Sequence, residues 1–148
     1  MKLIPDEPVI VITNFHVRYA ETDAMGVVHH VNYLVYFEEG RSHYMREMGS
    51  DYAEIEASGY QLPVTETGIR YLGSLRYGDT VQIRSHVEES LSRRLKFSYE
   101  VTNLADQRVL VTGFTNHIWT DGAGKVTRAP EIWHKLYQQF SGKAPAGS

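Results

Sequence analysis

The amino-acid sequence predicts an α+β fold in which one long helix lies on a curved antiparallel sheet. Two observations indicate this arrangement. Apolar residues recur at helical spacing from about His30 to Gly49, and several segments with an apolar residue at every second position follow that helix. Short turns join these later segments, and short connections favour antiparallel neighbours, so the last four strands are expected to form a meander.

Length and composition predict one folded domain. The 148 residues carry a net charge of −3 and no basic run, which argues against nucleic acid as the main partner. The absence of cysteine excludes disulfides, a thiolate nucleophile and cysteine-ligated metal. We expect a core over residues 9–120 and a C-terminal extension over residues 121–148, with a short helix and a loose tail.

The N-terminal region has no long apolar signal segment. The apolar run over residues 9–12 is too short to cross a bilayer, so no membrane span is expected and a cytoplasmic location is the default. A strand is predicted over residues 9–20, because apolar and polar residues alternate toward its end. A loop over residues 21–29 follows, and it contains Asp23 and Gly26.

The long helix begins near His30 and ends near Gly49, a residue type that is common at left-handed helix ends. Gly40 inside the helix costs roughly 1 kcal/mol relative to alanine. Close packing of the helix backbone against a sheet would explain why a glycine is present despite that cost. The apolar stripe of this helix is formed by Tyr33, Phe37, Gly40, Tyr44 and Met48.

Four strands and two further helices complete the expected order. A short helix over residues 50–60 precedes the strands, and Pro130 opens a C-terminal helix that runs to Phe140, since proline is favoured at the first helical position. The first of the four strands is either unbroken or carries a bulge at Gly68 or Gly73. The strands are expected over residues 62–77, 80–89, 95–102 and 108–120, with turns at residues 77–79, 92–94, 103–107 and 121–124.

A carboxylate in a loop before a helix start is suited to acyl chemistry. Asp23 can act as a base or a nucleophile, and free N–H groups around His29 and His30 can hold a developing oxyanion. A structural alternative exists for Asp23, because aspartate is also a strong helix N-cap. The histidines and the acid of this region, His16 included, match none of the usual zinc spacings, so no metal is expected.

A ten-residue pattern surrounds this carboxylate and continues into the helix: Glu21, Thr22, Asp23, Gly26, Val27, Val28, His30, Tyr33, Glu38 and Arg41. The pattern resembles that of the hotdog-fold acyl-CoA thioesterases. More narrowly, it is similar to the 4-hydroxybenzoyl-CoA thioesterase family and to its Tol-Pal-associated acyl-CoA thioesterase branch. His30 favours that branch, whereas His29 is a departure, since tyrosine or phenylalanine is more usual there. The order of elements extends the resemblance over residues 14–120.

The resemblance implies a hotdog fold, in which the sheet wraps around the central helix, and hydrolysis of acyl-CoA thioesters without a cofactor. It implies that Asp23 is the catalytic carboxylate and His30 a helper. It also implies a homodimer or homotetramer with the site between two subunits. Two further groups are assigned to the site: Gly26, His29, Asn32 and Tyr33 to its oxyanion and acyl part, and the local basic cluster Arg93, Arg94 and Lys96 to CoA.

Several alternatives stay open. The acyl group could be carried by acyl carrier protein instead of CoA. The protein could also be a non-catalytic acyl-CoA-binding member of the fold, although intact Asp23, Gly26 and His30 argue against it. A hotdog dehydratase is disfavoured, because the histidine-containing loop and opposed helical acid of that family have no match here. The pattern decides neither the acyl group (aromatic, short or long) nor whether Asp23 is base or nucleophile.

Overall fold

The computed structural model describes residues 8–49 and 52–142 of the chain. The strands are β1 Val11–His16, β2 Tyr60–Gln61, β3 Val64–Tyr71, β4 Thr80–Ser90, β5 Arg94–Asn103, β6 Val109–Ile118 and β7 Thr120–Asp121, and the helices are α1 Asn32–Glu47, α2 Tyr52–Ala57 and α3 Glu131–Ser141. Five strands form one antiparallel sheet in the order β1-β4-β5-β6-β3, and β2 pairs with β7. This arrangement confirms the α+β prediction. Within the described ranges, no helix has the length and apolar character needed to cross a membrane.

The long helix α1 packs on the inner face of the sheet. Phe37 stacks on Tyr99 of β5 with ring centroids 4.4 Å apart, and both side chains are buried. At Gly40 the helix backbone comes so near to the sheet that a methyl group would overlap the Ser85 side chain. The close packing predicted from Gly40 is therefore confirmed, and it explains why a residue unfavourable in helices occupies this position.

Only three of the four predicted strands form a meander. β4, β5 and β6 are successive neighbours, but β3 pairs with β6 at one edge and β1 takes the place beside β4. The prediction of a four-strand meander is therefore wrong. The reason lies between β3 and β4, where Leu75 donates its N–H to the Tyr33 hydroxyl and accepts a hydrogen bond from the Val28 N–H. These bonds tie the connection to the helix start, so the chain reaches the other side of the sheet instead of forming a hairpin.

The strand predicted over residues 62–77 is shorter than expected. Within that range the strand is β3, Val64–Tyr71, and the residue before it is Pro63, which has no N–H to give to a strand ladder. The register of β3 shifts just after Val64. The prediction of a bulge at Gly68 is therefore wrong. At Gly73 a bulge-like pattern is present just beyond β3, because the N–H groups of Leu72 and Gly73 both donate to the Leu110 carbonyl.

The first strand ends at His16, so the strand predicted over residues 9–20 is too long. The Val17 N–H still donates to the Asp79 carbonyl at 2.9 Å, but the Asp79 N–H donates to the Arg76 carbonyl, so the ladder goes no further. The chain then forms a 3₁₀ turn over Tyr19–Glu21. This turn redirects the backbone into the loop that contains the predicted catalytic carboxylate.

The helix α1 begins at Asn32, two residues after the predicted start at His30. The His29 N–H donates to the Glu21 carbonyl, so this segment forms a turn ahead of the helix. The predicted end is confirmed, because Gly49 follows the helix with a φ of 101°, a conformation that suits glycine.

The predicted C-terminal helix is present as α3, and Pro130 is the residue before its start. Trp133 of this helix is fully buried, and its ring centroid lies 5.6 Å from that of Trp119. The helix therefore belongs to the hydrophobic core. Residues 143–148 of the predicted loose tail, and residues 50–51 of the predicted second helix, lie outside the described residues.

A chain of hydrogen bonds crosses the inner face of the sheet beside α1. Arg41 Nη1 donates to the Tyr99 hydroxyl at 3.0 Å, and that oxygen lies 2.7 Å from Thr115 Oγ1. His117 Nε2 lies 2.8 Å from Thr115 Oγ1, and its Nδ1 lies 3.1 Å from the Leu62 carbonyl. All of these groups are satisfied when the Tyr99 hydroxyl donates to Thr115 Oγ1 and the Thr115 hydroxyl donates to His117 Nε2. His117 is then neutral, and its Nδ1–H donates to the Leu62 carbonyl. Burial, assisted by the Arg41 charge, lowers the pKa of His117 to about 4.

The protein is expected to lose stability as the pH falls below about 6.5, and His117→Gln is expected to lose less. A histidine in the unfolded chain titrates near pH 6.5, whereas the folded pKa of His117 is about 4. Between these values the unfolded state binds a proton that the folded state does not. Stability from this group is therefore fully present above pH 6.5 and is lost as the pH falls toward 4, by roughly 2 kcal/mol at pH 5. Urea unfolding of both proteins at pH 7 and pH 5 measures the difference; equal losses would contradict the prediction.

Candidate active site at the start of the central helix

Asp23 lies in a tight turn that closes at Gly26 and Val27. Its Oδ1 accepts the Met25 N–H at 2.8 Å and the Val27 N–H at 3.4 Å, and its own N–H donates to the Val27 carbonyl at 2.8 Å. Gly26 has a φ of 78°, which glycine adopts without the strain other residues would incur. The turn thus holds one carboxylate oxygen, and no described residue donates a hydrogen bond to the other, Oδ2.

The same turn occurs a second time in the chain. Asp121 Oδ1 accepts the Ala123 N–H at 2.9 Å and the Lys125 N–H at 3.0 Å, and Gly124 has a φ of 83°. Both turns carry the pattern Thr-Asp-x-x-Gly-x-Val. This pattern by itself therefore specifies a turn, and a catalytic role for Asp23 must rest on what surrounds it.

In the segment from His29 to Asn32 that leads into α1, one backbone N–H has no acceptor among the described residues. The His29 N–H donates to the Glu21 carbonyl at 2.8 Å, and the Val31 N–H lies 3.3 Å from His29 Nδ1. The Asn32 N–H donates to the His29 carbonyl at 2.9 Å. Among the described residues, none accepts a hydrogen bond from the His30 N–H. An unbonded N–H at the positive end of a helix can bind a developing oxyanion.

The prediction that Asp23 could be the N-cap of the helix is wrong. The N-cap of α1 is Val31, and no side chain caps that helix. The Asp23 carboxylate accepts hydrogen bonds only within its own turn, as far as the described residues show. Across residues 8–49 and 52–142, no group of three or more histidine, cysteine, aspartate or glutamate side chains is arranged to hold a metal ion.

His29 and His30 are exposed and lie beside Tyr71 of β3. The two imidazoles stack with centroids 4.4 Å apart, and the His30 ring meets the Tyr71 ring edge-on at 6.2 Å. The Tyr71 hydroxyl donates to the His30 carbonyl at 3.0 Å. Among the described residues, no hydrogen bond joins the His30 ring to Asp23. Sequence reasoning missed Tyr71, because a tyrosine within a strand pattern gives no signal of a contact 41 residues away.

Asn32 and Tyr33, which were assigned to the acyl part of the site, are both bonded within the subunit. Asn32 Nδ2 donates to the Glu21 carbonyl at 2.9 Å. Tyr33 is 2% exposed, and its hydroxyl accepts the Leu75 N–H at 3.2 Å. Burial raises the pKa of Tyr33, so its hydroxyl stays neutral. These contacts join the loop, the helix start and the β3–β4 connection.

The basic cluster assigned to CoA lies at the other end of the sheet. Arg94 in β5 is paired with Ile118 of β6, whereas Tyr71, beside the helix start, is paired with Val111 of the same strand. The two partners on β6, Ile118 and Val111, are seven residues apart, which corresponds to about 23 Å along the strand. A single subunit therefore does not bring Asp23 and this cluster together.

The three cations of the cluster differ in their surroundings. Arg94 is exposed, and Arg93 is half-buried in the turn before β5. Lys96 lies 3.3 Å from a Glu88 carboxylate oxygen and 4.8 Å from the centre of the Phe114 ring. The charge of Lys96 is thus partly balanced within the sheet, whereas that of Arg94 faces solvent.

Comparison with known proteins decides the family. The family model described as the thioesterase-like superfamily matches residues 17–140. The chain belongs to the thioesterase-like superfamily. The match runs through α3, well beyond residue 120, where the resemblance seen in the sequence ended.

Individual proteins support the same membership. This thioesterase-like chain is 32% identical over 127 residues to a Bacillus subtilis (strain 168) protein named "Putative acyl-CoA thioesterase YneP", a match that covers 83% of this chain and 91% of that protein. The chain spans 65–66% of the length of three other curated relatives.

Two solved structures share the fold of this thioesterase-like chain. A DHNA-CoA thioesterase from Staphylococcus aureus is similar with a TM-score of 0.84 and 33% identity, over 90% of this chain and 91% of that one. A hypothetical protein, TT1821, from Thermus thermophilus is similar with a TM-score of 0.80 and 38% identity, over 84% of this chain and 95% of that one. The hotdog fold predicted from the loop pattern and the order of elements is confirmed.

Proposed function

We propose that this chain is a thioester hydrolase that cleaves acyl-CoA into the free acid and CoA. One observation carries the proposal. Among the described residues, no donor bonds to Asp23 Oδ2 and no acceptor bonds to the His30 N–H, and both groups lie in the loop ahead of α1. The first can activate water or attack a carbonyl carbon, and the second can hold the oxyanion. Similar proteins named as acyl-CoA or DHNA-CoA thioesterases support the reaction.

Asp23 can serve the hydrolysis in two ways. As a general base, Oδ2 takes a proton from a water molecule while the water oxygen bonds to the thioester carbonyl carbon. As a nucleophile, Oδ2 itself bonds to that carbon and forms a mixed anhydride, which water then hydrolyses. In both routes the carbonyl oxygen becomes an oxyanion, the C–S bond breaks, and the CoA thiolate leaves and takes up a proton.

The oxyanion is expected to bind at the His30 N–H. Removal of one oxyanion-hole donor costs about 2.7–4 kcal/mol of transition-state stabilisation in an enzyme where a side-chain donor was substituted. The exposed His30 ring, stacked on His29, lies next to that donor and can contact the thioester. Gly26 contributes by allowing the turn that holds Asp23.

We propose further that the chain acts as a homodimer or homotetramer with its site between subunits. β3 is an edge strand of the described sheet and is largely exposed, with Val64 47% and Tyr71 46% accessible. Such an edge is a ready site for pairing with another chain. A second subunit can also supply the basic cluster of Arg94, which is about 23 Å from the helix start within one subunit.

Within the family, we propose the 4-hydroxybenzoyl-CoA type and its Tol-Pal-associated branch. The support is the loop pattern from Glu21 to His30, including the histidine before the central helix. No observation on the described residues favours acyl carrier protein as the carrier, or binding without turnover.

The purified protein is expected to release thiol from acyl-CoA substrates. A panel of aromatic, short-chain and long-chain acyl-CoA esters with a colorimetric thiol readout measures this and identifies the preferred acyl group. The preferred acyl group is then offered on CoA and on acyl carrier protein, and faster hydrolysis of the CoA ester is expected. Absence of thiol release from the whole panel would overturn the proposal, and hydrolysis of the carrier-protein ester alone would overturn the choice of CoA.

A further inference from the structure

We propose that Glu21 is a positioning residue for this hydrolysis, which holds the Asp23 loop against α1 through Asn32 and Tyr36. We call these three residues the Glu21 latch. The inference rests on the proposed function of the site. Glu21 stands two residues before Asp23, at the end of the 3₁₀ turn Tyr19–Glu21.

The backbone carbonyl of Glu21 holds the segment just ahead of the helix. It accepts the His29 N–H at 2.8 Å and an Asn32 Nδ2 hydrogen at 2.9 Å. Donors from both ends of this short segment thus meet at one oxygen, which closes the turn around it. Because the His29 N–H is used here, the next backbone donor, that of His30, is the one left for a substrate oxygen.

The carboxylate of Glu21 is held separately. The side chain is only 12% exposed, and Oε1 accepts the Tyr36 O–H at 2.9 Å and the Arg18 N–H at 2.8 Å. Asn32 and Tyr36 are four residues apart and therefore lie on one side of the helix. Burial, together with the hydrogen bond to Glu21, raises the pKa of Tyr36, so its hydroxyl remains a donor.

The latch fixes the loop because its helical end is itself fixed. The Tyr36 ring meets Phe15 edge-on at 4.9 Å and Tyr33 at 5.6 Å, and Tyr36 is 1% exposed. The Glu21 backbone therefore has a defined place relative to the core, and Asp23 follows two residues later. Hydrolysis needs Asp23 and the oxyanion donor at a set separation, and an error of about 1 Å can cost roughly 10²-fold in rate.

Tyr36→Phe tests the latch, because it removes one hydroxyl and keeps the ring. We expect kcat to fall roughly 10- to 100-fold with little change in KM. The matched control is Tyr44→Phe, which removes another buried hydroxyl of α1, hydrogen-bonded to the Val87 backbone. Both variants lose a buried hydrogen bond, but only the first is expected to lose kcat. Equal kcat values in the two variants would overturn the proposal.

Two variants of Glu21 separate positioning from chemistry. Glu21→Gln retains an oxygen that can accept the Tyr36 and Arg18 hydrogen bonds, so most of kcat is expected to remain. Glu21→Ala removes the acceptor and is expected to resemble Tyr36→Phe. If Glu21→Gln is as inactive as Glu21→Ala, the charge of Glu21 takes part in the reaction directly and a positioning role is wrong.

Hydrogen exchange of the His29 amide gives a readout that does not depend on turnover. We expect this amide to be protected in the wild-type protein and in Tyr44→Phe, and to exchange faster in Tyr36→Phe. Equal protection in all three proteins would overturn the latch. A wild-type protein without activity, but with this pattern of protection, would overturn the proposed function and leave the latch as a structural finding.

Discussion

Asp23→Asn is expected to lower kcat/KM for acyl-CoA hydrolysis by about 10³-fold and to leave the fold intact. The asparagine side-chain oxygen can still accept the Met25 and Val27 N–H groups, so the turn is retained. What is lost is the carboxylate charge, and with it both the ability to take a proton from water and the ability to attack the thioester. The measurement is thiol release from the preferred acyl-CoA, together with thermal unfolding.

The chain supplies its own control for this substitution. Asp121 forms the same turn, with hydrogen bonds to the Ala123 and Lys125 N–H groups, but no catalytic role is proposed for it. Asp121→Asn is therefore expected to change stability about as much as Asp23→Asn and to leave kcat/KM unchanged. Full activity in Asp23→Asn would contradict the catalytic assignment, and equal losses in the two variants would show that the turn alone matters.

Gly113→Ala is expected to lower the free energy of unfolding by about 3 kcal/mol. A methyl group on Gly113 would lie 2.6 Å from the Gly68 carbonyl oxygen and 2.6 Å from the nearest Phe37 ring atom. The first contact is with the backbone of β3, which cannot yield without disturbing the strand pairing. The second would displace the ring that stacks on Tyr99 at 4.4 Å. Thermal and urea unfolding measure the effect, and a loss of about 3 kcal/mol corresponds to roughly 10 °C in Tm.

Gly122→Ala is the control for the loss of a glycine. A methyl group there would come no nearer than 3.9 Å to its closest neighbour, the Gly59 carbonyl oxygen. Its effect on unfolding is expected to stay within about 0.5 kcal/mol. If Gly113→Ala is as stable as Gly122→Ala, α1 and β3 do not pack against β6 as described.

The elements that sequence reasoning located are those with a local signature. The long helix and its end at Gly49 follow from helical periodicity and a glycine with positive φ. The strands β4, β5 and β6 follow from alternation and short turns, and α3 follows from Pro130. Each of these signals lies within the element itself, or at its ends, so it can be recognised without knowing the rest of the fold.

The place of β3 could not be predicted in the same way. A strand pattern shows that a segment is extended, but it does not show which neighbour the strand pairs with. Here the connection after β3 is bonded to the helix start through Leu75, so β3 lies beside β6 and β1 lies beside β4. The strand also ends earlier than its alternation indicated. Leu72 and Gly73 still donate to the Leu110 carbonyl of β6, but from Leu75 onward the backbone bonds to the helix start and the loop.

The features of the site likewise divide into those with a local sequence signal and those that depend on contacts made on folding. The turn with Asp23 and Gly26, the helix that follows and the family resemblance could all be predicted from residue types at fixed local spacing. The folded chain was needed to show that the His29 N–H donates to the Glu21 carbonyl and that no described residue accepts a hydrogen bond from the His30 N–H. The fold was also needed to show that the basic cluster lies about 23 Å along the sheet from the helix start. Each donor and acceptor bonds to the partner that folding brings near, and local spacing does not encode that partner.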